Sequence, residues 1–336
     1  MQLSRRRRTV AVLAGLALAA GLAPPAHATN DSNWDKQWGM EAIGAPAAWG
    51  KTTGAGVKIG IVDTGVDLTH EDLAGQIVET TSCLDTDGNP LKCAGTAQDD
   101  FGHGTHVAGI AAAIKDNGKG VTGVAPDARL VVAKVFKGAT ADQADVIAGI
   151  KWVVDHGAKV VNLSLGGAVF VAAATFGSEL TEGVEYAWKH GAVPVVASGN
   201  DDLFGAGVGS SEYGEMNALV VGATGRDDKV TEYSSPTGNA KWAILAPGGS
   251  NTQTTADDIF STYWSKGKKN DYGYLAGTSM AAPHVTGAVA LLLAQGLTKE
   301  QAVEKLLATT DKVPCGPNSE HCTGRLNVAR ATGAIG

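Results

Sequence analysis

Short apolar runs, rich in β-branched residues, recur along the chain at positions 57–62, 130–136, 160–165, 193–197 and 219–221. They lack the strict apolar–polar alternation of a half-exposed strand. They therefore predict strands buried on both faces, as in a parallel sheet covered by helices. Between them, residues 103–116, 142–156 and 178–190 carry the longer spacing of helices, with Gly157 and Gly191 as stop signals for the last two. Strand and helix in alternation predict an α/β fold: a three-layer, doubly wound, mostly parallel sheet flanked by helices. After residue 225 the pattern turns to shorter strands and loops until a helix from Ser279 to about Gln295. A last amphipathic helix opens at Thr298, whose Thr-x-x-Gln start predicts a capping box with Gln301. No repeat and no shift in composition marks a boundary, so residues 29–336 are expected to form one domain.

Residues 1–28 stand outside this pattern. Arg5, Arg6, Arg7 and Arg8 precede an apolar run at 10–23 and the small-x-small triplet Ala26-His27-Ala28. This predicts a cleaved secretory signal peptide and a secreted, extracellular protein. The run is shorter than the roughly 20 apolar residues of a membrane span. The arginines also suit a twin-arginine route, and nothing after them chooses between the two.

Of the 336 residues 44% are hydrophobic and 18% charged, which excludes a disordered chain and is enough for a sizeable core. The formal net charge is −7, and loss of the four leader arginines makes the rest more acidic. Nucleic acid and anionic membranes are therefore poor partners. The four cysteines fall into two close pairs, predicting local disulfides Cys83–Cys93 and Cys315–Cys322, although four cysteines allow three pairings. Zinc is the competing reading, without the short Cys-x-x-Cys spacing to support it.

In an open parallel sheet, ligands bind beyond the carboxyl ends of the strands. Asp63 and Asn200 each follow a buried run and stand there, though either alone is equally a cap or turn former. His103 lies between Gly102 and Gly104 at the start of a helix of small residues. Its spacing from His106 does not choose between the two histidines, and the glutamate of a zinc-protease helix is missing between them. Ser279 enters the first turn of a long apolar helix, where unpaired N–H groups favour negative charge. An ordinary N-cap serine would sit there too.

Taken together, Ile61-Val62-Asp63-Thr64-Gly65-Val66-Asp67, His103-Gly104-Thr105-His106-Val107-Ala108-Gly109 and Gly277-Thr278-Ser279-Met280-Ala281-Ala282-Pro283-His284 resemble the three signature segments of the subtilisin-like serine proteases, peptidase family S8. The resemblance runs through Gly324-Arg325-Leu326-Asn327 and is closest to the secreted, thermitase-like members. The order Asp, His, Ser is that of subtilisin itself. The resemblance implies a serine endopeptidase with Ser279 as nucleophile, His103 as general base, Asp63 as the group orienting the imidazole, and Asn200 as oxyanion donor. It implies that Ser164, Leu165 and Gly166 pair with an extended peptide and form one wall of the first specificity pocket, with Ala197, Ser198 and Gly199 opposite. Backbone pairing makes little demand on sequence, so broad specificity is expected.

The same resemblance implies a structural calcium site. Its ligands would be the Asp31 and Asp72 carboxylates, the Asn117 side chain, and the carbonyls of Ile114, Lys119 and Val121, an oxygen set that suits calcium. Asp85, Asp87 and Asn89 suggest a second, weaker site, unless a disulfide shapes that loop instead. The expected partners are protein and peptide substrates and proteinaceous protease inhibitors, with no nucleic acid and no membrane anchor, for a monomeric enzyme.

The chain departs from the family in three places. Only 28 residues separate Ala28 from Val57, too few for the usual folding-assistant prosegment. The Tyr-Pro pair found beneath the specificity pocket in many relatives is replaced by Ser210-Ser211-Glu212-Tyr213, and the edge segment Lys137-Gly138-Ala139-Thr140 lacks Gly-Ser-Gly. The rival readings are a narrow, mycosin-like processing protease, an inactive binding protein on the same fold, and a nucleotide-binding protein. The last lacks a Gly-x-Gly-x-x-Gly turn after residues 57–62.

Overall fold

The computed structural model describes residues 28–165, 170–171, 178–200 and 213–336. Nearly all of the expected leader lies outside them, as do Gly166 of the expected peptide-binding segment and Ser210, Ser211 and Glu212. The strands are β1 (Lys58–Asp63), β2 (Ile77–Ser82), β3 (Arg129–Lys134), β4 (Phe136–Lys137), β5 (Thr140–Ala141), β6 (Val160–Leu163), β7 (Phe170–Val171), β8 (Val193–Ala197), β9 (Leu219–Thr224), β10 (Trp242–Pro247), β11 (Ile259–Tyr263), β12 (Asp271–Leu275) and β13 (Cys322–Arg325). The helices are α1 (Trp38–Ala42), α2 (Ala45–Trp49), α3 (His103–Ala112), α4 (Gln143–Asp155), α5 (Ser178–Lys189), α6 (Thr278–Ala294), α7 (Lys299–Ala308) and α8 (Val328–Ala331).

Eight strands form the main sheet in the order β13-β10-β9-β8-β6-β1-β3-β2, and every neighbouring pair is parallel. The continuous apolar runs follow from this topology. Ile59 and Ile61 of β1 enter one core with Val107, Ile110, Val285 and Leu291 of α3 and α6. Val62 of the same strand enters the other, with Val146, Ile150 and Val153 of α4 and Val184 of α5. Successive side chains thus point to opposite helical layers, and neither face of the strand can be polar. The antiparallel hairpin β11–β12 lies outside the main sheet.

The chain starts the sheet at β1, builds β3 and β2 on one side, and then β6, β8, β9, β10 and β13 on the other. The strand order therefore reverses between β1 and β6, where a doubly wound sheet opens a crevice at its carboxyl end. Asp63 ends β1 and Ser164 follows β6, so both stand at that opening.

Two expectations need correction. The helix expected over 103–116 ends at Ala112: Ala113 has extended backbone (ψ 146°), and Ile114 N donates to the Asp72 carbonyl at 3.0 Å. The chain then turns through Asp116 and Gly118, both with positive φ, which ends helical hydrogen bonding. The strand expected over 130–136 divides at Val135 into β3 and the short β4. The capping box at Thr298 forms with both reciprocal bonds. Both disulfides form, Cys83–Cys93 and Cys315–Cys322, which removes the zinc reading. Among the described residues no helix is long and apolar enough to cross a membrane.

Candidate active site

The first turn of a helix leaves its N–H groups without intrahelical partners. At α3 the cap is Gly102, which has no side chain to offer. Two neighbouring residues do its work. Thr64, directly after Asp63, accepts the Gly104 N–H on its hydroxyl (2.9 Å), and Asp99 accepts the Thr105 N–H (3.0 Å). Asp99 is 1% exposed and also accepts from the Thr64 hydroxyl and from the N–H groups of Phe101 and Gly102. The Thr64 carbonyl accepts from Lys134 Nζ at 2.7 Å, and that ammonium also pairs with Asp100. Thr64 thereby ties the ends of β1 and β3 to the start of α3. Gly104 is required at this junction, because a Cβ there would stand 2.1 Å from the Gly65 carbonyl oxygen.

This junction presents His103 to Asp63. His103 Nδ1 is 2.8 Å from Asp63 Oδ1, with the aspartate side chain fully buried and the imidazole 12% exposed. Asp63 Oδ1 also accepts the Thr64 N–H at 2.7 Å. Burial pulls the His103 pKa down, but the charge and hydrogen bond of Asp63, with the charge of Asp99, outweigh it and raise the imidazole above its usual value.

His106, one turn on, meets a different environment. It is fully buried, and its Nε2 lies 3.0 Å from the Ile259 carbonyl and 3.1 Å from that of Gly273, so the N–H is shared by the two strands of the β11–β12 hairpin. Burial chiefly, with the neighbouring imidazoles, pushes it down to about 3, against those two bonds. It is a neutral crosslink.

Ser279 sits in the first turn of α6 and is 4% exposed. Its hydroxyl donates to the Ser164 carbonyl at 3.3 Å, and no hydrogen bond joins it to His103 in this state. Asn200 reaches the same turn: its Oδ1 accepts the Thr278 N–H at 2.9 Å, with the Thr278 hydroxyl at 3.1 Å. That contact turns Nδ2 toward Gly277. A Cβ on Gly277 would stand 3.3 Å from Asn200 Nδ2 and 3.7 Å from Ser279 N, so both donors border the space that the glycine leaves open. The backbone of Gly277 (φ 154°, ψ 161°) belongs to a region that only glycine readily adopts. A small anionic oxygen could be bonded by two N–H donors there.

The remaining expected site residues frame this opening. Leu165 is buried beside Ser164, and Ala197 ends β8. Ser198 donates its hydroxyl to the Ser235 carbonyl, and its own carbonyl accepts from Tyr213 at 3.0 Å. Tyr213 therefore backs the segment expected to form one pocket wall. The sequence reading missed Asp99, Thr64 and Lys134. The pair Asp99-Asp100 just before a glycine-led helix was the available signal, since aspartate there commonly serves the free N–H groups of the turn.

The residues expected to hold calcium lie together. Asp31 (5% exposed) accepts from the Asp116 and Asn117 N–H groups, both at 3.1 Å. Fully buried Asp72 accepts from Asn117 Nδ2, the Val121 N–H and the Tyr272 hydroxyl at 2.8–2.9 Å. Burial raises the Asp31 pKa, the negative charge of Asp72 adds to this, and the bonds from Thr29, Asp116 and Asn117 oppose it. The nearby lysines pair elsewhere, Lys115 with Asp116 and Lys119 with Glu71. The carbonyls of Ile114, Lys119 and Val121 accept no hydrogen bond among the described residues. Two buried acids without a cationic side chain, beside three free carbonyl oxygens, fit a hard cation. No group of three or more His, Cys, Asp or Glu side chains gathers among the described residues, so such a site depends on backbone oxygen. At the expected second site, groups of Asp85, Asp87 and Asn89 have protein partners. Asp87 pairs with Lys92 at 2.5 Å, Asn89 accepts the Leu91 N–H, and the Asp85 N–H is bonded to Asp145.

Known proteins resemble this chain along most of its length. Thermitase from Thermoactinomyces vulgaris is 37% identical over 299 residues, which cover 88% of this chain and 95% of that protein. The major intracellular serine protease of Bacillus subtilis is 36% identical over 264 residues, covering 76% of this chain and 74% of that one. The solved structure of a protease from Pseudoalteromonas arctica superposes with a TM-score of 0.76 at 28% identity, covering 91% of this chain and 99% of its own. The model of the subtilase family, peptidase S8, matches residues 54–333. With its parallel sheet and the polar residues gathered at the reversal of strand order, the chain belongs to the subtilase family of serine endopeptidases.

Proposed function

We propose that this subtilase cleaves peptide bonds through an acyl-enzyme on Ser279, with His103 as general base, Asp63 as its orienting partner and Asn200 as oxyanion donor. The observation that carries the proposal is the 2.8 Å contact between His103 Nδ1 and buried Asp63 Oδ1. With the Nδ1 proton directed at Asp63, Nε2 is the basic nitrogen. Ser279 Oγ bonds to the substrate carbonyl carbon and gives its proton to Nε2. For this the hydroxyl turns away from the Ser164 carbonyl; such bonds commonly tighten only when substrate is bound. The carbonyl oxygen becomes an oxyanion facing Asn200 Nδ2 and Ser279 N. As the tetrahedral centre collapses, the C–N bond breaks and the departing amine takes the proton from Nε2. Water then attacks the acyl carbon and gives a proton to Nε2; the acyl C–Oγ bond breaks, Ser279 Oγ takes that proton back, and the acid product leaves.

The substrate is an extended peptide paired with Ser164, Leu165 and Gly166 on one side and Ala197, Ser198 and Gly199 on the other, with broad specificity. Calcium is the structural ion of this reading, held by Asp31, Asp72, Asn117 and the carbonyls of Ile114, Lys119 and Val121. Its positive charge would offset the two buried acids and fasten the 114–121 loop to the N-terminal segment. Residues 1–28 direct export, and residues from 29 onward act as one monomeric catalytic domain, open to proteinaceous inhibitors. The Bacillus subtilis relative carries "intracellular" in its name, so export rests on the leader residues and the disulfides rather than on the family.

Intact mass after fluorophosphonate treatment tests the chemistry, beside a Ser279→Ala control. One adduct in the parent and none in the control is expected; an unlabelled but folded parent would overturn the reading. Digestion of unfolded casein tests specificity, because a narrow processing enzyme would leave it whole.

A further inference from the structure

Pro283 stands inside α6, four residues after Ser279. In an α-helix the Ser279 carbonyl would accept the N–H of that residue, and proline has none. An unpaired buried carbonyl is costly, and this one is served from the sheet instead. The Ser164 hydroxyl donates to it at 2.8 Å. Ser164 Oγ accepts from Asn162 Nδ2 at 2.8 Å, and Asn162 Oδ1 accepts from the Thr286 hydroxyl at 2.9 Å. Asn162, Ser164 and Thr286 are all at 0% exposure.

The spacing makes this possible. Ser279 and Thr286 are seven residues apart and share a helix face, while Asn162 and Ser164 are two apart and share a face of the strand and its continuation. The proton order is also determined. Ser164 can donate to a carbonyl only if its oxygen is the acceptor from Asn162, whose other end must then accept from Thr286. Donors so aligned polarise one another. Ser164 also receives the Ser279 hydroxyl on its own carbonyl, so one residue holds both polar ends of Ser279.

We infer that Pro283 and the hydrogen-bonded chain Thr286–Asn162–Ser164 form a positioning device for Ser279: the proline frees its carbonyl, and the chain draws that carbonyl onto the end of β6. Thr286 and Asn162 are positioning residues that act through Ser164. The inference rests on the reading of Ser279 as nucleophile.

The test is the rate of Ser279 phosphonylation by a fluorophosphonate, read by intact mass, together with kcat and KM on one peptide and a thermal melt. Thr286→Val keeps the shape and removes the first donor. It is expected to slow labelling and kcat by about 10-fold with KM unchanged, since small misplacement of a reacting group is costly. Thr286→Ser is expected to restore both. Ser164→Ala should lose more, and less of that loss should remain in a Pro283→Ala background, where the substituted residue offers the carbonyl an N–H. Parent-like labelling and kcat in Thr286→Val and Ser164→Ala, whatever their melting temperatures, would overturn the device and leave the protease reading intact. If Thr286→Val does not fold, Ser164→Ala alone and in the Pro283→Ala background decides the matter. An unlabelled parent removes the nucleophile, and the inference falls with it.

Discussion

His103 and His106 lie three residues apart on one helix, and the neighbours of that helix tune them in opposite directions. At His103 burial is outweighed by the charge and hydrogen bond of Asp63, so the imidazole, 12% exposed, is more readily protonated than usual. At His106 the helix turns inward to two backbone carbonyls, and burial holds the ring neutral, with a pKa of about 3. Identity and spacing are the same for both, so the difference comes entirely from what packs on each side of α3. A carboxylate at the end of a parallel strand raises the pKa of one imidazole. A hairpin edge makes a crosslink.

The sharpest test of this contrast is replacement of each histidine by alanine. His103→Ala is expected to lower kcat by about 10⁶, the size known for the base in subtilisin. His106→Ala should leave kcat per labelled site within about threefold, but cost about 3 kcal/mol in urea unfolding, through the cavity and the carbonyls left unpaired. A catalytic collapse in His106→Ala with normal stability would break the comparison.

Asn200→Ala is expected to reduce kcat by about 10²–10³ at similar KM, the loss known for this donor in subtilisin. A pure KM effect would move Asn200 from the oxyanion to substrate binding.

The pH profile sharpens the electrostatic half of the contrast. A protonated His103 cannot accept the Ser279 proton, so kcat/KM should fall as pH drops through its pKa. Because Asp63 raises that pKa, the acid limb should lie above the ordinary imidazole value of about 6.5. Asp63→Asn should move the limb down and lower the plateau by about 10⁴. For stability the sign is opposite: a raised histidine pKa favours the folded state below the unfolded value, and this contribution is lost as pH rises through the folded one.

The smallest expected effect lies beyond the other end of α3. Chelation at constant ionic strength should lower the melting temperature by about 4 °C, consistent with a cation present at roughly 100 times its dissociation constant. Asp72→Asn should lower it in buffer and remove the further response to chelator. No response in the parent would leave the two buried acids held by their hydrogen bonds alone.

The strands were legible because burial on both faces leaves continuous apolar runs, as at Ile59, Gly60, Ile61 and Val62. The end of α3 was not. Alanine and isoleucine at 113 and 114 suit a helix, and only the carbonyl of Asp72, a distant residue, draws the Ile114 N–H out of it. Asp63, His103, Asn200 and Ser279 each stood within two residues of a readable punctuation mark, either a strand end or a glycine. Asp99 and Lys134 were missed. Their work is to satisfy Thr64 and the first turn of α3, and those needs exist only once β1, β3 and α3 have met.

Local chemistry along the sequence determined the strand and helix types, the capping box at Thr298, and the residue types available for nucleophile, base and oxyanion donor. Periodicity and turn chemistry act over a few residues, and a single chain displays them openly. Tertiary structure alone decided which histidine meets a carboxylate, which carbonyls near Asp31 and Asp72 stay free, and how Ser279 recovers the hydrogen bond that Pro283 denies it. Those outcomes depend on groups 40 to 115 residues apart arriving at one point, and no local pattern carries that distance.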